Sequence, residues 1–80
     1  METKIIYVFD LLSCRKFDVE IEINETIREL KEKIEKKLNR KIESKLKILT
    51  IGRRKERILE NEELTVKEAR IHDGDRINIK

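Results

Sequence analysis

Proline and tryptophan are absent from this sequence, and 80 residues contain only two glycines and one cysteine. With Gly52 and Gly74 far apart, no glycine-rich loop exists to cradle a phosphate, and no nucleotide-binding fingerprint occurs. A lone Cys14 makes neither an intramolecular disulfide nor a zinc site, which argues against a stapled, secreted scaffold. One histidine, His72, is too few for a transition-metal site, which needs three or four converging ligands. The aromatic residues are Tyr7, Phe9 and Phe17 alone. Two or three of them are expected in the core, leaving no stacking platform for nucleic-acid bases. No apolar run approaches the roughly 18 residues of a membrane span, and Met1-Glu2 opens no signal peptide. These absences lead to the expectation of a soluble cytoplasmic domain with no membrane insertion.

Charge is what the sequence has in abundance. Charged residues are 46% of the chain and apolar ones 38%, and 20 basic against 17 acidic residues leave a net +3. The isoelectric point is about 9.1. The aliphatic residues recur in regular periods, so the composition reads as a folded domain and not as a disordered chain. A chain this short buries about 60–65% of its unfolded surface. That is enough for one thin core in a single domain over residues 1–80, and too little for a deep substrate cavity.

The periods then assign elements. Residues 4–12 are dense in β-branched and aromatic types and read as a buried strand. Residues 16–23 alternate strictly, with Phe17, Val19, Ile21 and Ile23 on one face, which is a strand with one wet side. Ser13-Cys14-Arg15 between them is short enough for a hairpin turn. Thr26 followed by Glu29 is a capping box, and Ile27, Leu30, Ile34 and Leu38 follow as one apolar stripe. The helix is placed at 26–39, with Asn39 as its stop and Glu29–Lys33 and Glu32–Lys36 as expected solvent-side pairs. Residues 45–51 read as a third strand closed by Gly52. A charged turn follows at 53–57, then a brief strand at Ile58-Leu59. Thr65 with Glu68 caps a short helical turn, His72-Asp73-Gly74-Asp75 is a turn, and residues 76–80 are a last alternating strand.

That order, at this length, resembles ubiquitin and the ubiquitin-like β-grasp proteins from Lys4 to Lys80. The residues carrying the resemblance are Thr26-Ile27 at the helix start, the stripe Leu30 and Ile34, Lys47-Ile48-Leu49-Thr50-Ile51-Gly52, Leu64 to Ile71, and Gly74 to Ile79. It implies an α+β fold, a mixed sheet of four to five strands with one main helix on one face. Family members that are conjugated or carry sulfur extend into a flexible tail ending in Gly-Gly, whose side-chain-free carboxylate enters an activating enzyme's channel. The sequence as given stops at Lys80 with no such pair, so conjugation is not expected of it. The resemblance is then to stand-alone ubiquitin-like proteins lacking the tail, including the small bacterial ones of type VII secretion systems. What this implies is a monomeric, non-catalytic protein-interaction module that uses no cofactor. Two rivals stay open: a basic nucleic-acid-binding small domain, and a truncated modifier or sulfur carrier.

Candidate sites follow from charge and from leftover apolar residues. No catalytic set is expected: Cys14 lies beside Arg15 and Lys16, where positive charge favours a thiolate, but the pattern supplies no partner base. No metal site is expected either, because Asp73 and Asp75 beside His72 are ordinary turn residues that bond locally to backbone. Residues 36–57 hold ten basic against two acidic groups, +8 within a chain of +3. Lys36, Lys37, Arg40, Lys41, Arg53, Arg54, Lys55 and Arg57 are accordingly the candidate basic patch, expected to merge into one face attractive to phosphates or an acidic partner. If Tyr7 and Phe9 face the helix, Ile6 and Val8 face away, because strand side chains alternate. Ile48 inward likewise puts Leu49 and Ile51 outward. The resemblance places Leu12, Leu49, Asn78 and Lys80 at the family's recognition patch on the outer sheet face, with Asn78 and Lys80 replacing its histidine and valine. Lys47 and Arg53 complete the candidate partner-binding set.

Overall fold

A computed structural model describes residues 2–50, 52 and 54–79. Strand β1 (Thr3–Asp10) pairs antiparallel with β2 (Arg15–Glu22), and helix α1 (Ile27–Leu38) follows. Strands β3 (Lys47–Leu49), β4 (Glu56–Ile58) and β5 (Arg76–Ile79) complete a sheet of order β2-β1-β5-β3-β4. The central neighbours β1 and β5 are parallel. Parallel neighbours need a crossover connection, so the chain between them must pass over the sheet, and α1 lies along that path.

The strand bounds differ from those the sequence suggests. The first ends at Asp10 because Leu11–Cys14 make the turn, in which Cys14 takes a left-handed φ of 57° usually given to glycine. The third is Lys47–Leu49 rather than 45–51, with Ile51 outside the described residues. The fourth begins at Glu56, inside the stretch expected as a charged turn, because Glu56 and Arg57 pair across to Leu49 and Ile48.

Helix α1 starts where its capping box says. The Glu29 amide donates to Thr26 Oγ1 at 3.2 Å, and the Thr26 amide donates to Glu29 Oε1 at 3.2 Å. Asn39 closes the helix in the left-handed conformation. The solvent-side pairing differs from expectation, since the cap engages the Glu29 carboxylate and Lys33 Nζ pairs with Glu25 at 2.7 Å. Removing the cap hydroxyl with Thr26→Ala is expected to cost about 1 kcal/mol, read as a lowered urea midpoint at unchanged m. The same device recurs at Thr65 and Glu68, with reciprocal bonds of 3.0 and 3.1 Å.

Ile27, Leu30, Ile34 and Leu38 enter the core against Val19, Ile21, Ile48, Ile77 and Ile79, with Phe17 packed at its edge. From β1, however, Ile6 and Val8 are the residues at 0% exposure, while Tyr7 is 47% exposed. This reverses the expected facing of β1. Cross-strand partners share a sheet face, and the register pairs Ile6 with Val19 and Val8 with Phe17. The strict alternation of β2 therefore drives the even-numbered residues of β1 inward.

One of those inward residues is Asp10, only 1% exposed. Its carboxylate accepts from Ser13 Oγ at 2.6 Å, the Leu12 amide at 3.1 Å and Arg40 at 2.6 Å. The Arg40 bond, then the Ser13 bond, outweigh burial and lower its pKa from 3.8 to about 2.

Candidate interaction surface

The facing of β1 decides what the far side of the sheet presents. Ile5 is 45% exposed there beside Tyr7, and Phe9 is half-buried. From β3 come the half-buried Lys47 and Leu49, and from β5 Arg76 and Asn78. Tyr7, Phe9, Leu49, Gly52, Gly74 and Arg76 line a shallow groove of about 310 Å³. The Arg76 guanidinium lies 4.8 Å from the centre of the Phe9 ring, a cation–π contact that holds both side chains in place. Its Nε is buried with no hydrogen-bond partner among the described residues.

The charges flanking this apolar centre are sorted by strand. On β2, Asp18 stands opposite Tyr7, Glu20 opposite Ile5 and Glu22 opposite Thr3. On the other side stand Arg76, opposite Leu49, and Lys47. The face thus runs from acidic through apolar to the basic Arg76 and Lys47, with the acidic Glu56 of β4 opposite Leu49 at its far edge. The turn at residues 72–75 closes one end, where Ile5 donates its amide to Asp73 Oδ1 at 2.6 Å and accepts from the Gly74 amide at 2.8 Å.

Of the candidate partner-binding residues, Lys47 and Leu49 lie on this face, and Leu12 is 70% exposed in the hairpin turn. Asn78 stands opposite Lys47, two pairs along the ladder from Leu49, and its amide group donates to Glu56 Oε2 at 2.6 Å. The residue across from Leu49 is instead Arg76. Arg53 and Lys80 lie outside the described residues. Ile5, Tyr7, Phe9 and Arg76 were missed. The signal that finds Ile5, Tyr7 and Phe9 is a four-residue hairpin turn, which fixes the register and hence the facing of β1.

The expected single basic patch is divided. Arg40 turns to Asp10, and Lys37 lies 5.6 Å over the Phe17 ring. Arg57 donates to the Ala69 carbonyl at 2.6 Å and the Arg70 carbonyl at 3.1 Å. Lys36 and Lys41 sit at the helix end around a depression shared with Glu32 and Glu35. Arg54 and Lys55 belong to a different cleft of about 730 Å³, lined also by Thr50, Arg57, Arg70 and His72. A count of charges along the chain merged two places that the fold separates.

Cys14 is exposed in the hairpin turn. Among the described residues, no group of three or more His, Cys, Asp or Glu side chains converges to hold a metal. No helix among them is long and apolar enough to cross a membrane.

No family model and no curated protein matches the sequence. Solved structures do match the fold. The C-terminal ubiquitin-like domain of mouse tubulin-specific chaperone e superposes with a TM-score of 0.81 at 13% identity, over 98% of this chain and 84% of that one. A ubiquitin-like domain from tubulin-binding cofactor B gives 0.80 at 16% identity, over 96% and 87%. The ubiquitin-like domain of Plasmodium falciparum Dsk2 gives 0.68 at 18% identity, over 99% and 100%. This chain has the ubiquitin-like β-grasp fold. Within that ubiquitin-like frame the groove lies on the sheet face turned away from α1.

Proposed function

We propose that this ubiquitin-like domain is a non-catalytic protein-interaction module whose contact surface is the outer face of the sheet. The observation that carries the reading is the exposed centre of Ile5 and Tyr7 beside Phe9 and Leu49. A chain this poor in aromatic residues places two of its three on the side that α1 does not cover. An apolar centre with a charged rim is the usual anatomy of a protein contact, and buried aromatic anchors carry most of the energy of such contacts. The solved ubiquitin-like domains of the tubulin cofactors and of Dsk2 support the reading by fold alone.

Exposure of Tyr7 weakens one argument against nucleic acid, since a ring is available for stacking. The acidic row Asp18, Glu20 and Glu22 stands directly beside that ring, however. It would repel a phosphate backbone, whereas a protein surface of complementary charge tolerates it.

The test begins with a partner captured from native lysate, titrated into isotope-labelled protein while amide shifts are followed. Shifts are expected across residues 5–9, 47–49 and 76–78. Tyr7→Ala is expected to weaken binding tenfold or more while leaving the urea midpoint nearly unchanged. Shifts confined to α1, with Tyr7→Ala binding like the parent, would reject the sheet face.

A further inference from the structure

We infer that the cleft beside β4 receives an acidic segment of the same partner, a stretch of carboxylates following an apolar anchor. The inference rests on the sheet face as the contact surface and names the chemistry of what docks there. The cleft is open, about 730 Å³, and among the described residues it is lined by Thr50, Arg54, Lys55, Arg57, Arg70 and His72. Four of these six are cationic at neutral pH and none is acidic.

Among the described residues no carboxylate lines the cleft, and those nearest in sequence keep their charge while accepting hydrogen bonds from neutral groups. Glu56 accepts from Asn78, Glu68 from Thr65, Asp73 from the Ile5 amide and Asp75 from the His72 amide. Arg57 uses its guanidinium on the carbonyls of Ala69 and Arg70, which fixes it at the cleft wall with its charge unneutralised by those neutral acceptors. Arg70 itself holds a left-handed φ of 57°, a conformation more often given to glycine or asparagine. Like charges gathered this way repel one another, and an incoming anion relieves the repulsion.

Continuity with the sheet face selects the occupant. Thr50 lines both the apolar groove and the basic cleft, so the two depressions adjoin. A ligand crossing Thr50 passes from Tyr7 and Leu49 onto Arg54 and Lys55. An extended peptide with apolar residues leading into glutamates or aspartates matches that sequence of environments. A nucleic acid does not, because its charge is uniform along its length and the groove's far rim is acidic.

The experiment uses a dye-labelled peptide of leucines and valines followed by a run of glutamates, titrated into the isotope-labelled chain. Amide shifts are expected at Thr50, Arg54, Lys55, Arg70 and His72 as well as at Tyr7 and Leu49. A counterpart ending in serines should bind about tenfold more weakly, and added salt should erase the difference. The double change Arg54→Glu, Lys55→Glu should bring the same loss at an unchanged melting temperature, because both side chains are exposed. Equal binding of the serine peptide, or tighter binding of an oligothymidylate in the cleft, would overturn the inference. Shifts at Tyr7 and Leu49 with none in the cleft would sink it while sparing the sheet-face reading. Glutamate-dependent cleft shifts with none at Tyr7 and Leu49 would reject the sheet-face reading and, with it, an apolar anchor preceding the carboxylates.

Discussion

Leu30→Ala is expected to remove about 2–5 kcal/mol of stability. Leu30 is 0% exposed at the middle of the helix stripe, with Ile27 and Ile34 on either side at 1% and 0%. Its side chain closes the space between α1 and the inward isoleucines of the sheet. Truncation loses the transfer free energy of the deleted carbons and leaves a void that a close-packed interior cannot fully close. Small domains have about 5–15 kcal/mol in total, so the variant should be partly unfolded at ambient temperature if the parent lies at the low end. Urea unfolding followed by circular dichroism measures it. A shift below about 1 kcal/mol at constant m would mean that the stripe does not form the core.

Acid should weaken the domain through Asp10, and Asp10→Asn should remove that sensitivity. The carboxyl titrates near 3.8 in the unfolded chain and near 2 in the folded one. A group whose pKa is depressed by folding stabilises above its unfolded value and loses that contribution as pH falls towards its folded value. The expected window therefore runs from about pH 4 to about pH 2. At neutral pH the asparagine variant should be less stable by about 1.5–3 kcal/mol, the range for a hydrogen bond to a charged group. The figure sits below that of a fully buried ion pair because the Arg40 side chain is 34% exposed and water can take over its solvation. Unfolding curves at pH 7 and pH 2.5 should show the gap between parent and variant closing. A gap of constant size would place the pH dependence on other carboxylates.

Local devices were legible in the sequence and non-local ones were not. Thr26, Glu29 and the Leu30 stripe act within a turn or two of chain, so their spacing alone locates α1. The alternation of Phe17, Val19 and Ile21 likewise gives the faces of β2, because one parity is polar. In β1 both parities are apolar, and the inward set includes the aspartate, so composition pointed the wrong way for Tyr7 and Phe9. Only the pairing of Ile6 with Val19 resolves it. Lys47 and Leu49 were legible as outward residues once Ile48 was read as inward. Arg76 was not, since its place opposite Leu49 depends on the register of an antiparallel pair formed across 27 positions of sequence. The basic segment failed as one surface for the same reason: Arg40 and Arg57 find partners far along the chain, at Asp10 and at Ala69 and Arg70.

The parallel pairing of the first and last strands also fixes how the domain carries load. Tension applied between Thr3 and Ile79 pulls β1 and β5 past one another along their length, with Tyr7 to Asp10 gripping Arg76 to Ile79. The ladder bonds are then strained together in shear and cannot be opened singly from one end like a zipper. A partner tugging on one end of the chain while the other is held meets the sheet in its most resistant direction, and the groove between Tyr7 and Leu49 lies over that clamp.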